Sequence, residues 1–503
     1  VTGILITTIT KPEPSTDLSS TKTYTQSNNE QSVFTQTAYM KATNTRTNGY
    51  FGSAMSASGL TLAVASVGES SAATGINGNQ QDNSMPRSGA VYVYTLINGN
   101  WVFDAYIKAS NTNSDDKFGT SISISDDTLV IGAPEEDSDA TGVDGDQFNN
   151  AAVDSGAAYV YIKDNGIWSQ QAYLKASNTE ANDQFGTAVE IFNNTIVVGA
   201  TNESSNSAGI NGDEQNNLSF QSGAAYVFNR KNTQWQQTHY IKAFETNALE
   251  HFGESLSLND EVLAIGAQWA SSTSNNVNQG VVFIYRRSTS DFLESAYLTA
   301  SNNGASDNFG YAIDLSGNYL AVSARRESGS GTGVNPTDNN DASSAGAAYI
   351  FRREDNFWIE EAYIKASNSG EQDQFGWSIS LEGDLLAVSA FREDSQANGI
   401  DGDQMDNNSI DAGATYLFAR EDQLWSQLAY IKASNTGAQD NFGFSTLLHQ
   451  QQLFIGAHLE DSNATDFNGN QNDESVPNSG AVYIYSLDLI FKDGFEQNSQ
   501  AYQ

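Results

Sequence analysis

The dipeptide Phe-Gly recurs at Phe51, Phe118, Phe185, Phe252, Phe309, Phe375 and Phe442, at spacings of 67, 67, 67, 57, 66 and 67 residues. Seven copies of a unit this long restrict the 503-residue chain to one repeat architecture, in which each copy buries its apolar face against its neighbours. Within a copy, FGTSISIS (Phe118 to Ser125) alternates small or apolar with polar residues, the period of a strand. A two-residue turn, Asp126-Asp127, leads into TLVIGA (Thr128 to Ala133), a continuous apolar run expected of a buried strand. A long acidic loop, then SGAAYVY, a short turn and IWSQQAYLKA complete the unit. Four antiparallel strands per copy, seven times over, predict an all-β fold, a seven-bladed β-propeller.

The ends of the chain fit a closed ring. The seventh copy supplies FGFSTLL, QLFIGA and SGAVYIY, then departs into SLDLIFKDGFE, whereas SVFTQTAYMKA near the start has the pattern of a fourth strand. The N-terminal strand 32–42 is therefore expected to complete the last blade and leave no open edge. The predicted organisation is an N-terminal β-prone arm and linker over 1–31, a propeller over 32–487 and a tail over 488–503.

Several residue types keep one register. Tyr39, Tyr106, Tyr173, Tyr240, Tyr297, Tyr363 and Tyr430 fall at one place in the fourth strand, with Trp101, Trp168, Trp235, Trp358 and Trp425 five residues earlier; packing between blades is the expected role. Lys41, Lys108, Lys175, Lys242, Lys365 and Lys432 form another register, broken by Thr299. An acid precedes most Phe-Gly pairs by two residues, at Asp116, Asp183, Glu250, Asp307, Asp373 and Asp440. Lysine paired with these acids is the expected contact.

The Phe-Gly anchors, with Gly132-Ala133-Pro134 as the fullest second half, resemble the FG-GAP repeat of integrin α-subunits, and most closely the bacterial secreted and surface proteins that carry it. The resemblance covers Ser32 to Leu487. It implies a seven-bladed propeller used for adhesion and ligand binding, often with structural calcium. The calcium loops of that family lie between the Phe-Gly and Gly-Ala strands, where this chain has tight turns such as Asn193-Asn194 and Gly383-Asp384. Those sites cannot be transferred to any residue here.

The long loop instead joins the second and third strands. Six copies hold an Asx-Gly-Asx pattern or a relative of it, and the fourth lacks it, which accounts for the 57-residue spacing. These six loops contain 26 acids against four bases, Arg87, Arg325, Arg326 and Arg392. Alternating strand direction puts them on one face of the ring, with Lys163, Arg230, Lys231, Arg286, Arg287, Arg352, Arg353 and Arg420 on the other. Asp144, Asp146 and Asn149, Asn211 and Asp213, and Asp401, Asp403 and Asp406 have the oxygen spacing that suits Ca2+. The same residues suit self-bonded Asx turns, and both readings stand. Glu203, Glu327, Glu393 and Glu460, three residues after the Gly-Ala or Ser-Ala pair, either add a ligand or cap the loop.

A net charge of −38 argues against nucleic acid as partner, and no run approaches membrane-spanning length. The chain has no Cys and four His, with no metalloprotease, nucleophile-elbow or phosphate-loop motif. A non-catalytic extracellular or cell-surface adhesion or assembly protein is the reading this supports, with a protein or glycan as ligand, and the resemblance implies a bacterial one. Two alternatives are a homo-oligomer or filament joined by strand donation from residues 1–31, and a calcium-dependent carbohydrate-binding module. Any unique groove is expected at the blade-four deletion, near His251 and Trp269.

Overall fold

Each apolar run of the repeat becomes the second strand of a twisted sheet in the computed structural model, which describes residues 33–271, 278–288, 291–337 and 339–488. Blade one is Phe51–Ser58, Thr61–Ser66, Ala90–Ile97 and Asn100–Ile107, paired in that order, and six further sheets repeat the pattern. The first strands of successive blades touch in a circuit that returns from blade seven to blade one. The protein is thus an all-β, seven-bladed propeller, with no helix among the described residues and so none long and apolar enough to cross a membrane.

The ring closes as the sequence implies. The sheet of blade seven runs Phe442–His449, Gln452–Ala457, Ala481–Asp488 and finally Val33–Met40. The compact unit spans Phe34–Leu487. The arm expected over 1–31 and nearly all of the tail expected over 488–503 lie outside the described residues.

The two halves of the repeat motif have separate steric causes. The glycine after each anchor phenylalanine has positive φ, for example +96° at Gly186, which a residue with a Cβ rarely adopts. Its carbonyl lies against the Gly-Ala glycine of the preceding blade: a Cβ at Gly132 would stand 2.1 Å from Gly186 O. The phenylalanine itself is fully buried in every blade and packs edge to face on a third-strand aromatic, as Phe118 does on Tyr159 at 5.2 Å between centroids. Around the axis, serines of one first strand cap N–H groups of the next, Ser123 Oγ accepting from Ile191 N at 3.2 Å.

The long loop does more than connect. In blade five it forms a fifth strand, Gly333–Val334, along the outer edge of Phe357–Lys365. Single bridges do the same elsewhere, among them Val143 to Leu174, Ile400 to Ile431 and Phe467 to Met40. Short added pairing of this kind shields an edge that would otherwise offer free N–H and C=O groups.

Candidate functional site: a symmetric buried network and an asymmetric loop face

The lysine register is buried, and its partners are not those expected. Lys175 Nζ meets Glu136 Oε2 at 2.9 Å, and the same pair recurs as Lys41–Glu460, Lys108–Glu69, Lys242–Glu203, Lys365–Glu327 and Lys432–Glu393. The glutamate is the one three residues after the Gly-Ala pair, so this register neither faces solvent nor waits for a ligand. The acids before Phe-Gly, expected to pair with lysine, instead accept a backbone N–H three residues upstream, as Asp116 does from Asn113 at 3.0 Å. Local geometry decides the exchange: a carboxylate at that position closes its own turn, leaving the lysine to cross to the loop that follows the second strand.

The ion pair sits in a larger network that joins blades. Asn111, from the connection leaving blade one, donates to Glu136 Oε1 at 2.8 Å and accepts from Tyr159 OH at 2.6 Å. Tyr173 OH pairs with Ser138 Oγ at 2.6 Å, and Ser138 N donates to Glu136. Lys175 and Glu136 therefore each have several partners, the condition under which a buried charge is tolerated. Tyr39, Tyr106, Tyr173, Tyr240, Tyr363 and Tyr430 and Trp101, Trp168, Trp235 and Trp425 are buried, as a packing role requires, whereas Trp358 is half-buried and Tyr297 is exposed.

Blade four replaces the network as a whole. Ala270 stands in the glutamate register, Thr299 in the lysine register and Phe283 in the third-strand tyrosine register, while Phe244 packs on Phe283 at 5.3 Å. Losing the lysine and the glutamate together avoids an unpaired buried charge. Tyr297, freed from the network, is 45% exposed. His251 stacks on Trp269 at 5.6 Å, and neither lines a described cavity: one of about 340 Å³ lies on blade three, between Asn211 to Gln215 and Gln237 to Tyr240, and a larger one lies at blades five and six.

The sequence-derived calcium candidates are all on the loop face, bonded to their own chain. Asp144 Oδ1 accepts from Tyr173 N at 3.0 Å, Asn211 Oδ1 from Tyr240 N at 3.0 Å and Asp401 Oδ1 from Tyr430 N at 2.9 Å, so this register ties the loop to the outer strand. Asp146, Asp213 and Asp403 each accept the N–H two residues on, at 3.1, 3.1 and 3.0 Å, which is an Asx turn. Asn149 accepts from Asp139 N, and Asp406 accepts from Asn408 Nδ2. Among the described residues no three His, Asp or Glu side chains gather as a metal site.

Where the loop face departs from seven-fold repetition, it does so over neighbouring blades. The residue after Phe-Gly is Ser53, Thr120, Thr187 and Glu254 in blades one to four but Tyr311, Trp377 and Phe444 in blades five to seven. Trp377 lies 5.2 Å from Tyr311, 4.1 Å from Phe391 and 5.5 Å from Phe444, and Phe444 lies 3.6 Å from His458. Burial pushes His458 down to about 3, so its ring stays neutral. Arg325 lies over Tyr311 at 4.2 Å and Trp377 at 5.3 Å. Beside this band, at the seam of blades five and six, a cavity of about 640 Å³ is lined by residues including Arg325, Arg326, Arg392, Trp377 and Phe391.

Sequence reading had the arginines as the few bases among the acidic loops and missed the aromatic band. Its signal was the variable position beside a constant anchor, which periodicity reading passes over. The expected two-sided charge is softened on the opposite face, where Lys163, Arg352, Arg353 and Arg420 pair with Asp104, Glu361 and Glu261.

Comparison with curated proteins gives no match. A model of the FG-GAP repeat matches residues 101–161, 168–228, 292–351 and 358–418. Each match runs from the outer strand of one blade to the third strand of the next, the frame in which the ring of this chain also begins. With seven blades that share the Phe-Gly seam, the chain is a β-propeller of the FG-GAP repeat family.

Proposed function

We propose that the protein is a non-catalytic binding propeller, acting in adhesion or assembly outside the cell, that meets its partner with the loop face. The observation that carries this reading is the asymmetry of that face. A framework whose buried network repeats in six blades presents one aromatic and cationic region on blades five to seven. Ligand sites are concave, with apolar walls and a few convergent polar groups, and this region has that character. Exposed Phe148, Leu218, Phe220, Met405 and Ile410 on the long loops add apolar contact points to the same face.

The test uses the absence of cysteine. Phe148→Cys on the loop face and Ile167→Cys on the opposite face, both exposed, allow immobilisation in two orientations. A panel of matrix proteins, envelope polysaccharides and peptides is passed over each surface. Saturable retention only when the loop face is free is the expected result. Equal retention in both orientations, or none, overturns the reading.

Assembly between copies has one specific observation in its favour. The outer strand of blade four, Phe292–Leu298, exposes Leu293 and Tyr297, at 57% and 45%. A concentration-independent monomer mass removes that alternative.

A further inference from the structure

The cavity between blades five and six combines three guanidinium groups in a chain whose net charge is −38. Six lysines are locked to buried glutamates, and several bases of the opposite face are paired. Among the described residues, Arg325 and Arg326 have no carboxylate within ion-pair distance, and Arg392 reaches one only at 4.0 Å, on Asp411. Glu254 acts on Arg325 from further away. The Nε of Arg325 is buried without a hydrogen-bond partner, while its Nη1 donates to Gln374 Oε1 at 3.3 Å. Three like charges held together, one of them with an unsatisfied donor, form a site that an anion stabilises.

The rest of the lining narrows the anion. Ser306, Ser328, Ser343 and Ser344, with Gln372 and Gln374, supply neutral donors and acceptors, and Trp377 and Phe391 supply an aromatic wall. A flat carboxylate suits the guanidinium fork. Hydroxyl groups suit the serines and amides, and a sugar ring's C–H face suits an aromatic wall. We infer that this pocket binds a uronate residue of an acidic oligosaccharide, its carboxylate held by Arg325, Arg326 and Arg392 and its ring against Trp377. The inference rests on the binding reading above and deepens it.

The test is calorimetric titration of the full chain with a tetramer of 1,4-linked galacturonate, its carboxyl-reduced neutral analogue, tetraglutamate and inorganic phosphate, in dilute salt. The uronate tetramer is expected to bind at least tenfold tighter than any of the other three. Arg326→Gln, at an exposed position that leaves the fold intact, is expected to weaken it at least fivefold, and Trp377→Ala to weaken it while phosphate binding stays unchanged. No heat with the uronate overturns the inference, as does equal or tighter binding of the neutral sugar, the peptide or phosphate. Orientation-dependent retention of some other panel member alongside such a result sinks the uronate assignment alone; loss of that retention as well sinks the binding reading.

Discussion

Lys41 donates to Glu460 Oε2 at 2.6 Å across 419 residues of sequence, and this bond ties the first strand of the ring to its last blade. Lys41 also donates to Ser479 Oγ at 2.6 Å, and Tyr39 OH donates to Glu460 Oε1 at 2.7 Å. The closure thus uses the same network that fastens five of the other blades, with its parts drawn from opposite ends of the chain. Lys41→Met leaves Glu460 buried and unpaired, and a loss of about 3–5 kcal/mol is expected by denaturant unfolding. Adding Glu460→Leu is expected to recover most of that loss, because blade four already lives without the pair. A double variant no better than the single one contradicts this account.

Burial gives the stability a pH dependence of defined sign. Desolvation pushes Asp116 up to about 8 and Asp183, Asp373 and Asp440 up to about 7. A carboxyl whose folded pKa lies above its unfolded value, about 3.9, binds more protons when folded. Its contribution is therefore fully present below about pH 4 and lost as pH rises through 7 to 8. Thermal melts are expected to show a higher Tm at pH 5.5 than at pH 8. Asn at these four positions is expected to flatten the difference, and a Tm that rises with pH across this window contradicts the assignment.

Two glycines separate backbone strain from contact. Gly156 and Gly166 have nearly the same φ, +81° and +80°, but a Cβ at Gly156 would lie 2.1 Å from Phe185 O, whereas Gly166 has nothing within 4 Å. Gly166→Ala is expected to cost about 1 kcal/mol, the price of the left-handed backbone alone. Gly156→Ala forces the blade seam apart and is expected to cost at least about 2 kcal/mol more. Equal losses in chemical denaturation argue that the seam is not tight.

Calcium binding at Asp401, Asp403 and Asp406 requires oxygens that now accept N–H bonds from the outer strand and from within the loop to turn outward. The expected outcome of a melt after chelation, with and without added Ca2+, is a Tm unchanged within one degree. A rise of several degrees, from mass action on a native-state site, assigns the loops to metal instead.

The fold was legible because the repeat constrains it twice, once through the Phe-Gly seam and once through strand alternation, and the split seventh blade followed from the missing fourth strand. The pairing of Lys175 was not legible. Two acids, Asp183 and Glu136, stand in equally regular registers, and only the direction of the loop after Thr128–Ala133 chooses between them. The aromatic band escaped for a different reason. Tyr311, Trp377 and Phe444 come together through neighbouring blades, while in sequence they stand 66 and 67 residues apart, so no local pattern joins them.

The most direct measurement is hydrogen exchange of the full chain with and without whichever panel member the oriented surface retains. Slowed exchange concentrated at Arg325 to Ser328, Gln372 to Trp377 and Phe391 to Arg392 is the result this account predicts. Protection spread evenly over the seven blades, or confined to the turns between third and fourth strands on the opposite face, would contradict it.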